Sequence, residues 1–168
     1  MRLSLIILLV VLSGCEQEMP HPAMALTDTE KAMIAETVKE HSESLRLFFE
    51  DSDFARVDSM LVSDGYSQLI NGQAIWTSEE ALGMFKSGSE YSTSNNMRGE
   101  VEHVRQDMTV LSETDVLEIV AFTQKTYQAD SLIADAEGTR TILWKKGEPD
   151  WQIKHVHVSY KNPQNEEG

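Results

Sequence analysis

The chain has 168 residues, one cysteine and a formal net charge of −14. This length is typical of a single domain that buries a hydrophobic core without help from metals or disulfides, and a lone cysteine leaves no second thiol for a disulfide or a thiolate metal site. The acidic balance excludes nucleic acid as a partner, because nucleic acids are bound largely through Lys and Arg.

The first fifteen residues have the pattern of an export signal. Arg2 precedes an almost uninterrupted apolar run over residues 3–12, which is too short for a mature transmembrane helix. The run ends in Leu12-Ser13-Gly14-Cys15, and this ending resembles the bacterial lipobox, whose cysteine is lipidated and becomes the first mature residue. We therefore predict a lipoprotein signal peptide over residues 1–15 and a lipid on Cys15. The alternative is an ordinary cleaved signal peptide with an incidental cysteine.

The segments on either side of the globular part are a tether before it and a tail after it. Residues 16–26 contain Pro20 and Pro22 and no periodic apolar pattern, which predicts a flexible tether between lipid and domain. Residues 161–168 form a polar tail. Position 16 is Glu16 rather than Asp, which in lipoprotein sorting of the enterobacterial type favours the outer membrane. We expect a lipid-anchored protein of the cell envelope that faces the periplasm.

Two capping boxes predict helix starts in the first half of the domain. Thr27-Asp28-Thr29-Glu30 predicts a helix to about Glu50, with an apolar stripe at Ile34, Val38, His41, Leu45 and Phe48. Thr77-Ser78-Glu79-Glu80 predicts the start of a short helix that ends near Gly88. His41 lies inside the first stripe, where it is either a core histidine with local hydrogen-bond partners or a group that lines a cavity.

Turn residues divide the chain between and after these helices. A short helix is expected over residues 54–61, and Asn71-Gly72 predicts a tight hairpin between strands at residues 66–70 and 73–76. Residues 88–96 are rich in Ser, Thr and Asn. We interpret them as a loop at the rim of any pocket.

From residue 97 onward the pattern is that of strands. We expect strands over residues 97–111, 116–128, 139–146 and 151–160, with a longer connection over residues 130–138. The second of these strands carries apolar residues on both faces, which predicts a central position in a covered sheet. Strict alternation in the last strand places Trp151, Ile153, His155, His157 and Ser159 on one face, and Gln152, Lys154, Val156, Val158 and Tyr160 on the other.

Helices first and a meander of strands afterwards predict an α+β fold. We expect the domain to span residues 27–160, with its N-terminal helices packed on one face of a strongly curved, mostly antiparallel sheet. That packing leaves the other face of the sheet for solvent or a partner.

The order of elements and two stretches of sequence resemble the nuclear transport factor 2-like superfamily, and within it the SnoaL-like branch, which includes the association domains of calmodulin-dependent kinases. The stretches are Gly138-Thr139-Arg140 through Leu143-Trp144-Lys145-Lys146, and Trp151-Gln152-Ile153-Lys154-His155-Val156-His157-Val158-Ser159. The resemblance implies a cone, in which a curved sheet wraps a long helix and leaves a pocket at the open end. It also implies a homodimer through the outer face of the sheet.

Function is diverse within this superfamily, which includes polyketide cyclases, ketosteroid isomerase, dehydratases and non-catalytic transport and assembly domains. The fold therefore does not give the activity. The kinase association domains carry an arginine where this chain has Ala121, and this departure argues against a pocket for anionic ligands of that kind.

The histidine pair at the end of the chain is a candidate metal site. His155 and His157 are two residues apart on a strand, so both rings can reach one ion. A catalytic zinc needs a third protein ligand, for which His41 and His103 are the candidates. We interpret the pair as part of the packing or the dimer face and expect neither a metal nor another cofactor.

Apolar residues of the expected cone are candidates for lining a pocket, and they are Tyr66, Leu69, Trp76, Phe85, Phe122 and Trp144. Acid–base chemistry in such a pocket needs a base and a donor to an oxyanion, and the candidates are His41 and Tyr66. No Asp lies within an apolar strand, where such a base is expected. Enzyme status stays open and leans towards a non-catalytic protein.

Two hypotheses of function follow. The first is a lipid-anchored envelope protein whose non-catalytic domain binds a small apolar ligand or acts as a dimeric scaffold. The alternative is a SnoaL-like isomerase, cyclase or dehydratase that uses acid–base chemistry in the cone pocket.

Overall fold

A computed structural model describes residues 25–148 and 150–161. The predicted signal peptide, the lipid site at Cys15, and most of the tether and of the C-terminal tail lie outside these residues. Within the described part, no helix has the length and hydropathy that a membrane span requires.

The described residues form three helices and one six-stranded sheet. The helices are α1 (Asp28–Glu50), α2 (Phe54–Ser59) and α3 (Ser78–Ser94). The strands are β1 (Ser67–Ile70), β2 (Gln73–Ile75), β3 (Met97–Val110), β4 (Asp115–Gln128), β5 (Ser131–Lys146) and β6 (Trp151–Tyr160). Their order across the sheet is β2-β1-β6-β5-β4-β3, and every neighbouring pair is antiparallel except β1 and β6. This architecture confirms the predicted α+β fold.

Helix α1 begins at the predicted capping box. The Thr27 hydroxyl accepts a hydrogen bond from the Glu30 backbone N–H, and the Glu30 carboxylate accepts one from the Thr27 N–H at 2.8 Å. These bonds satisfy amides that the first turn of a helix leaves without partners. The helix buries Val38, Ser42 and Leu45, so its apolar stripe packs towards the sheet.

One hydrophobic core lies between the helices and the concave face of the sheet, and its fully buried members from the strands are Val116, Ile142, Trp144 and Ile153. Burying side chains of this size contributes about 1.5–3 kcal/mol each. Ile153 also joins the end of α2 to the sheet, because its N–H donates to the Met60 carbonyl and its carbonyl accepts from the Val62 N–H. The core therefore fixes the helices relative to β5 and β6.

Helix α3 is longer than predicted. It continues through Gly88 to Ser94, so the loop expected over residues 88–96 is wrong. A glycine within a helix costs only about 1 kcal/mol relative to alanine, which is too little to end a helix that is otherwise well placed. The helix ends at Ser94 with Asn95 as its C-cap, and the next residue, Asn96, has a φ of 52° in the left-handed region that asparagine tolerates.

Strands β4 and β5 form one long hairpin. Gln128 pairs directly with Ser131, so the connection expected over residues 130–138 is wrong. Ala129 and Asp130 make the turn, and Ala129 has a φ of 50°. The polar residues of this segment belong to an exposed strand, whose backbone pairing holds it extended in spite of its composition.

A bulge in β6 changes which side chains of the last strand share a face. Leu143 pairs with His155 whereas Trp144 pairs with Ile153, which leaves Lys154 as the extra residue. The strict alternation predicted for this strand is therefore wrong beyond Ile153, because one extra residue reverses every side chain that follows. The concave face receives Trp151, Ile153, Val156, Val158 and Tyr160, and the outer face receives His155, His157 and Ser159.

Candidate functional site

The helices and the concave face of the sheet line a cavity of about 220 Å³ that is partly open to solvent. Its apolar wall includes Leu45, Leu61, Ile142, Ile153 and Val158, and its aromatic end is Phe49 and Phe85. These two rings meet edge to face, with centroids 4.8 Å apart. An apolar wall with a few polar groups is the usual character of a small-molecule site.

Tyr66 and Gln68 bring the first polar group to this cavity from the start of β1. The Tyr66 hydroxyl donates a hydrogen bond to the Gln68 side-chain carbonyl at 2.6 Å, and both residues are buried. Burial raises the pKa of Tyr66, because the phenolate would lose its hydration. The hydroxyl therefore stays protonated at neutral pH and acts as a donor.

Arg140 brings a positive charge to the cavity wall from β5. Its Nε and Nη2 atoms are buried and have no hydrogen-bond partner among the described residues. Burial lowers the pKa of Arg140, while the charges of Glu118 and Tyr160 act in the opposite direction. An arginine keeps its proton in proteins. The sequence motif that contains Arg140 points to the fold but assigns this residue no role.

Glu118 is fully buried behind the cavity wall and is the centre of a polar network. Its carboxylate accepts hydrogen bonds from the Ser42 hydroxyl at 2.7 Å, the Gln106 amide at 2.8 Å and the Trp144 indole N–H at 2.7 Å. The sequence prediction for a carboxylate base within an apolar strand concerned Asp alone, so it did not include this glutamate. The sequence signal for a buried Glu118 is its spacing of two residues from Val116 and from Val120, which places all three on one face of the strand.

The structure places the six candidate pocket residues in different environments. Tyr66 and Phe85 line the cavity. Trp144 lies in the core behind it, bonded to Glu118. Leu69 pairs with His157 and so faces outward with it, Trp76 is 70 % exposed, and Phe122 packs edge to face against Tyr160 with centroids 5.6 Å apart.

His41, the candidate base, does not line the cavity. Its Nδ1 lies 2.9 Å from the Thr37 carbonyl oxygen and its Nε2 lies 2.9 Å from a carboxylate oxygen of Asp150. Both partners are acceptors, so the ring donates to both only when it is protonated. His41 therefore ties α1 to the turn before β6.

This contact predicts a small pH dependence of stability. The hydrogen bond from His41 lowers the pKa of Asp150. The ionised Asp150 therefore stabilises the fold above its unfolded-state pKa of about 3.9, and this stabilisation is lost as the pH falls through its folded-state pKa. We expect Asp150→Asn to lower the free energy of unfolding at pH 7 by less than about 1 kcal/mol, because the carboxylate is largely exposed. Urea unfolding at pH 7 and at pH 2.5 measures the difference, with Asp130→Asn as the exposed control. A loss of equal size at both pH values would contradict this assignment.

The two histidines of β6 lie on the outer face of the sheet. His155 Nδ1 lies 2.8 Å from the Ser67 hydroxyl, and His157 is exposed. His103 pairs with Phe122 and His41 belongs to α1, so neither third candidate lies on that face. Among residues 25–148 and 150–161, no three His, Cys, Asp or Glu side chains are grouped as a metal ion requires.

No family model matches the chain, and no curated protein matches it. Solved structures do resemble it. A candidate scytalone dehydratase from Novosphingobium aromaticivorans superposes with a TM-score of 0.67 at 7% identity, over 81% of this chain and 89% of the other. A candidate dehydratase of the nuclear transport factor 2-like family from Streptomyces avermitilis superposes with a TM-score of 0.65 at 13% identity, over 78% of this chain and 98% of the other. An uncharacterised protein with a cystatin-like fold from Caulobacter vibrioides superposes with a TM-score of 0.63 at 15% identity, over 76% of this chain and 89% of the other. Identities this low show a shared fold alone.

Proposed function

We propose that this chain, whose fold is that of the nuclear transport factor 2-like proteins, is a non-catalytic binding domain for a small apolar molecule, anchored in the bacterial envelope through Cys15. The observation that carries the proposal is the cavity of about 220 Å³ lined by α1, α3 and the concave face of the sheet. Its walls are mostly aliphatic and aromatic, so an apolar ligand gains about 25 cal/mol for each Å² that it buries there.

Binding is favoured over catalysis by the state of the titratable groups near the cavity. The Tyr66 hydroxyl is held protonated and is no base. The Glu118 carboxylate is fully buried, accepts three hydrogen bonds and does not line the cavity. His41 points to Asp150 at the turn before β6.

The second candidate function is acid–base chemistry of the dehydratase or isomerase kind. Two similar structures carry dehydratase names, and the Tyr66 hydroxyl at the cavity wall can donate to a developing oxyanion by exchanging its bond to Gln68 for one to the ligand. The discriminating variant is Tyr66→Phe. If the protein is an enzyme of this kind, the variant loses about 10²–10³ in kcat. If it is a binding domain, no turnover is found in either protein.

We expect the cavity to bind small neutral rings such as toluene and indole, and a bulky side chain inside it to block them. Every described helix and strand lies within residues 28–160, so the chain from residue 16 keeps the whole fold. Val158→Trp fills the cavity and is expected to weaken binding at least tenfold, measured by ligand-observed NMR. Lys125→Trp adds the same ring at an exposed position of β4 and serves as the control. Equal binding by both variants would contradict the proposed site.

The lipid anchor rests on the apolar run that ends in Cys15. Cells that express the full chain are expected to incorporate labelled palmitate into it and to retain it in the membrane fraction. Cys15→Ala is expected to lose the label. An unlabelled, soluble periplasmic product from the unchanged sequence would overturn this part of the proposal.

A homodimer is proposed through the outer face of the sheet. The centre of this face is uncharged and consists of Leu117, Ile119, Ala121, Thr139, Thr141 and Leu143, with His155 and His157 beside them. Such a surface is unusual on a chain with a net charge of −14, and stable dimers bury about 800 Å² per partner. Light scattering on the chain from residue 16 measures its mass. A strict monomer at micromolar concentration would count against the dimer.

A further inference from the structure

Among the described residues that line the cavity, Arg140 has the only charged side chain. Its Nε and Nη2 atoms are buried without a hydrogen-bond partner among those residues. A buried donor without an acceptor is unfavourable, and more so when it carries a charge. The guanidinium therefore lacks the acceptor that an arginine in this position needs.

The nearest buried carboxylate does not supply that acceptor. Glu118 pairs with Ile142 and Val120 pairs with Arg140, so the two charged residues are diagonal neighbours on the concave face. Glu118 contributes an electrostatic attraction to Arg140. Its oxygens, however, accept from Ser42, Gln106 and Trp144, and Arg140 forms no ion pair with any described carboxylate.

The two unpartnered nitrogens lie on one edge of the guanidinium. Their N–H bonds are parallel, and this pair of donors matches the two oxygens of a carboxylate. The rest of the cavity is apolar apart from the buried Tyr66–Gln68 pair and Tyr160. Its volume of about 220 Å³ equals the liquid volume of roughly seven water molecules, which suits one small ring or a short branched chain.

We infer that the ligand of this domain is a small monocarboxylate with an apolar body, whose carboxylate is held by both nitrogens of Arg140. The aliphatic or aromatic body then lies against Phe49, Phe85 and the side chains of β5 and β6. This inference rests on the proposed function, since it names the chemical class of the molecule that the cavity binds. It also reverses the expectation that Ala121 argues against a pocket for anionic ligands, because the positive charge of the pocket comes from Arg140 on β5 and not from an arginine on β4.

The test uses pairs of probes that differ only in charge. Titration calorimetry on the chain from residue 16 compares benzoate with benzamide, and isovalerate with isovaleramide. We expect each carboxylate to bind at least tenfold more tightly than its amide. Arg140→Gln is expected to reduce the affinity for the carboxylate to that for the amide. Arg140→Lys keeps the charge but loses the parallel donors, so its affinity for the carboxylate is expected to lie between those of the unchanged chain and Arg140→Gln. Arg98→Gln removes an exposed arginine of β3 and is expected to change nothing.

The outcomes separate this inference from the proposed function. If the amides bind as tightly as the carboxylates and Arg140→Gln has no effect, the inference of a carboxylate ligand is wrong, and the proposed apolar binding site is supported. If no probe of either pair binds and the neutral rings fail as well, both are wrong. The comparison within each pair uses the unchanged protein, so it does not depend on a variant that folds. Thermal unfolding gives a second readout, in which benzoate raises the Tm of the unchanged chain and leaves that of Arg140→Gln where it was.

Discussion

Glu118→Ala is expected to lower the free energy of unfolding by about 3–5 kcal/mol, the range for breaking a buried charged network by removing one member. The carboxylate is fully buried and accepts from Ser42, Gln106 and Trp144. Its removal leaves the buried donors of Ser42 and Trp144 without this acceptor and takes away the negative charge near Arg140. Urea unfolding at pH 7, followed by far-UV circular dichroism, measures the loss.

Two further variants control this experiment. Glu102→Ala removes an exposed glutamate from β3 and is expected to stay within about 0.5 kcal/mol of the unchanged chain. Glu118→Gln keeps one acceptor oxygen but replaces the other with a donor, so an intermediate loss is expected. If Glu118→Ala lost no more stability than Glu102→Ala, the network would have no part in holding α1 on the sheet.

Trp144→Ala is expected to lower the free energy of unfolding by about 3–5 kcal/mol, the range for an aromatic side chain deleted from a core. Trp144 is completely buried, and its indole N–H donates to Glu118 at 2.7 Å. The deletion leaves a cavity between β5 and α1 and removes a donor from the buried carboxylate. Thermal and urea unfolding measure the effect.

The chain offers a matched control in Trp76, which is 70 % exposed. Trp76→Ala is expected to change stability by no more than about 0.5 kcal/mol. Trp144→Phe separates the two contributions, since it keeps most of the ring volume and loses only the hydrogen bond. A Trp76 variant that loses as much as Trp144→Ala would show that the two rings are packed differently from this structure.

Local backbone chemistry is the part of this fold that the sequence predicts best. The capping box at Thr27 places the start of α1, and Asn71-Gly72 places the turn between β1 and β2, where both residues have positive φ. Each signal acts through bonds within about three residues, so no knowledge of distant contacts is needed.

The faces of β6 are predicted only in part, because the bulge at Lys154 depends on the neighbouring strand. Nothing in the ten residues of β6 marks the position where β5 and β6 shift their register. An extra residue in a strand is stabilised by pairing and packing across the sheet, and those contacts are remote in sequence. The end of α3 is a different case, because it lies beside the local pair Asn95 and Asn96 and not at Gly88.

The polar groups of the candidate site are the least predictable part. Glu118 stands in a strand among apolar residues and Arg140 stands between two threonines, and a single charge in a strand usually marks a solvated face. The pairing of Val120 with Arg140 brings both charges to the concave side. The missing hydrogen bonds of Arg140 depend on every residue around it, so sequence spacing carries no sign of them.

The position of β1 beside β6 has a consequence for how the chain folds. Ser67 pairs with His155, which is 88 residues later, and the hairpin of β1 and β2 joins the sheet only through that parallel pairing. Contacts this distant in sequence slow folding, because a long loop must close before they form. The meander of β3 to β5 has mostly nearby partners and can form first. A chain still in synthesis therefore cannot complete its sheet until the last strand has left the ribosome, and until then the apolar stripe of α1 has only part of the surface it packs against.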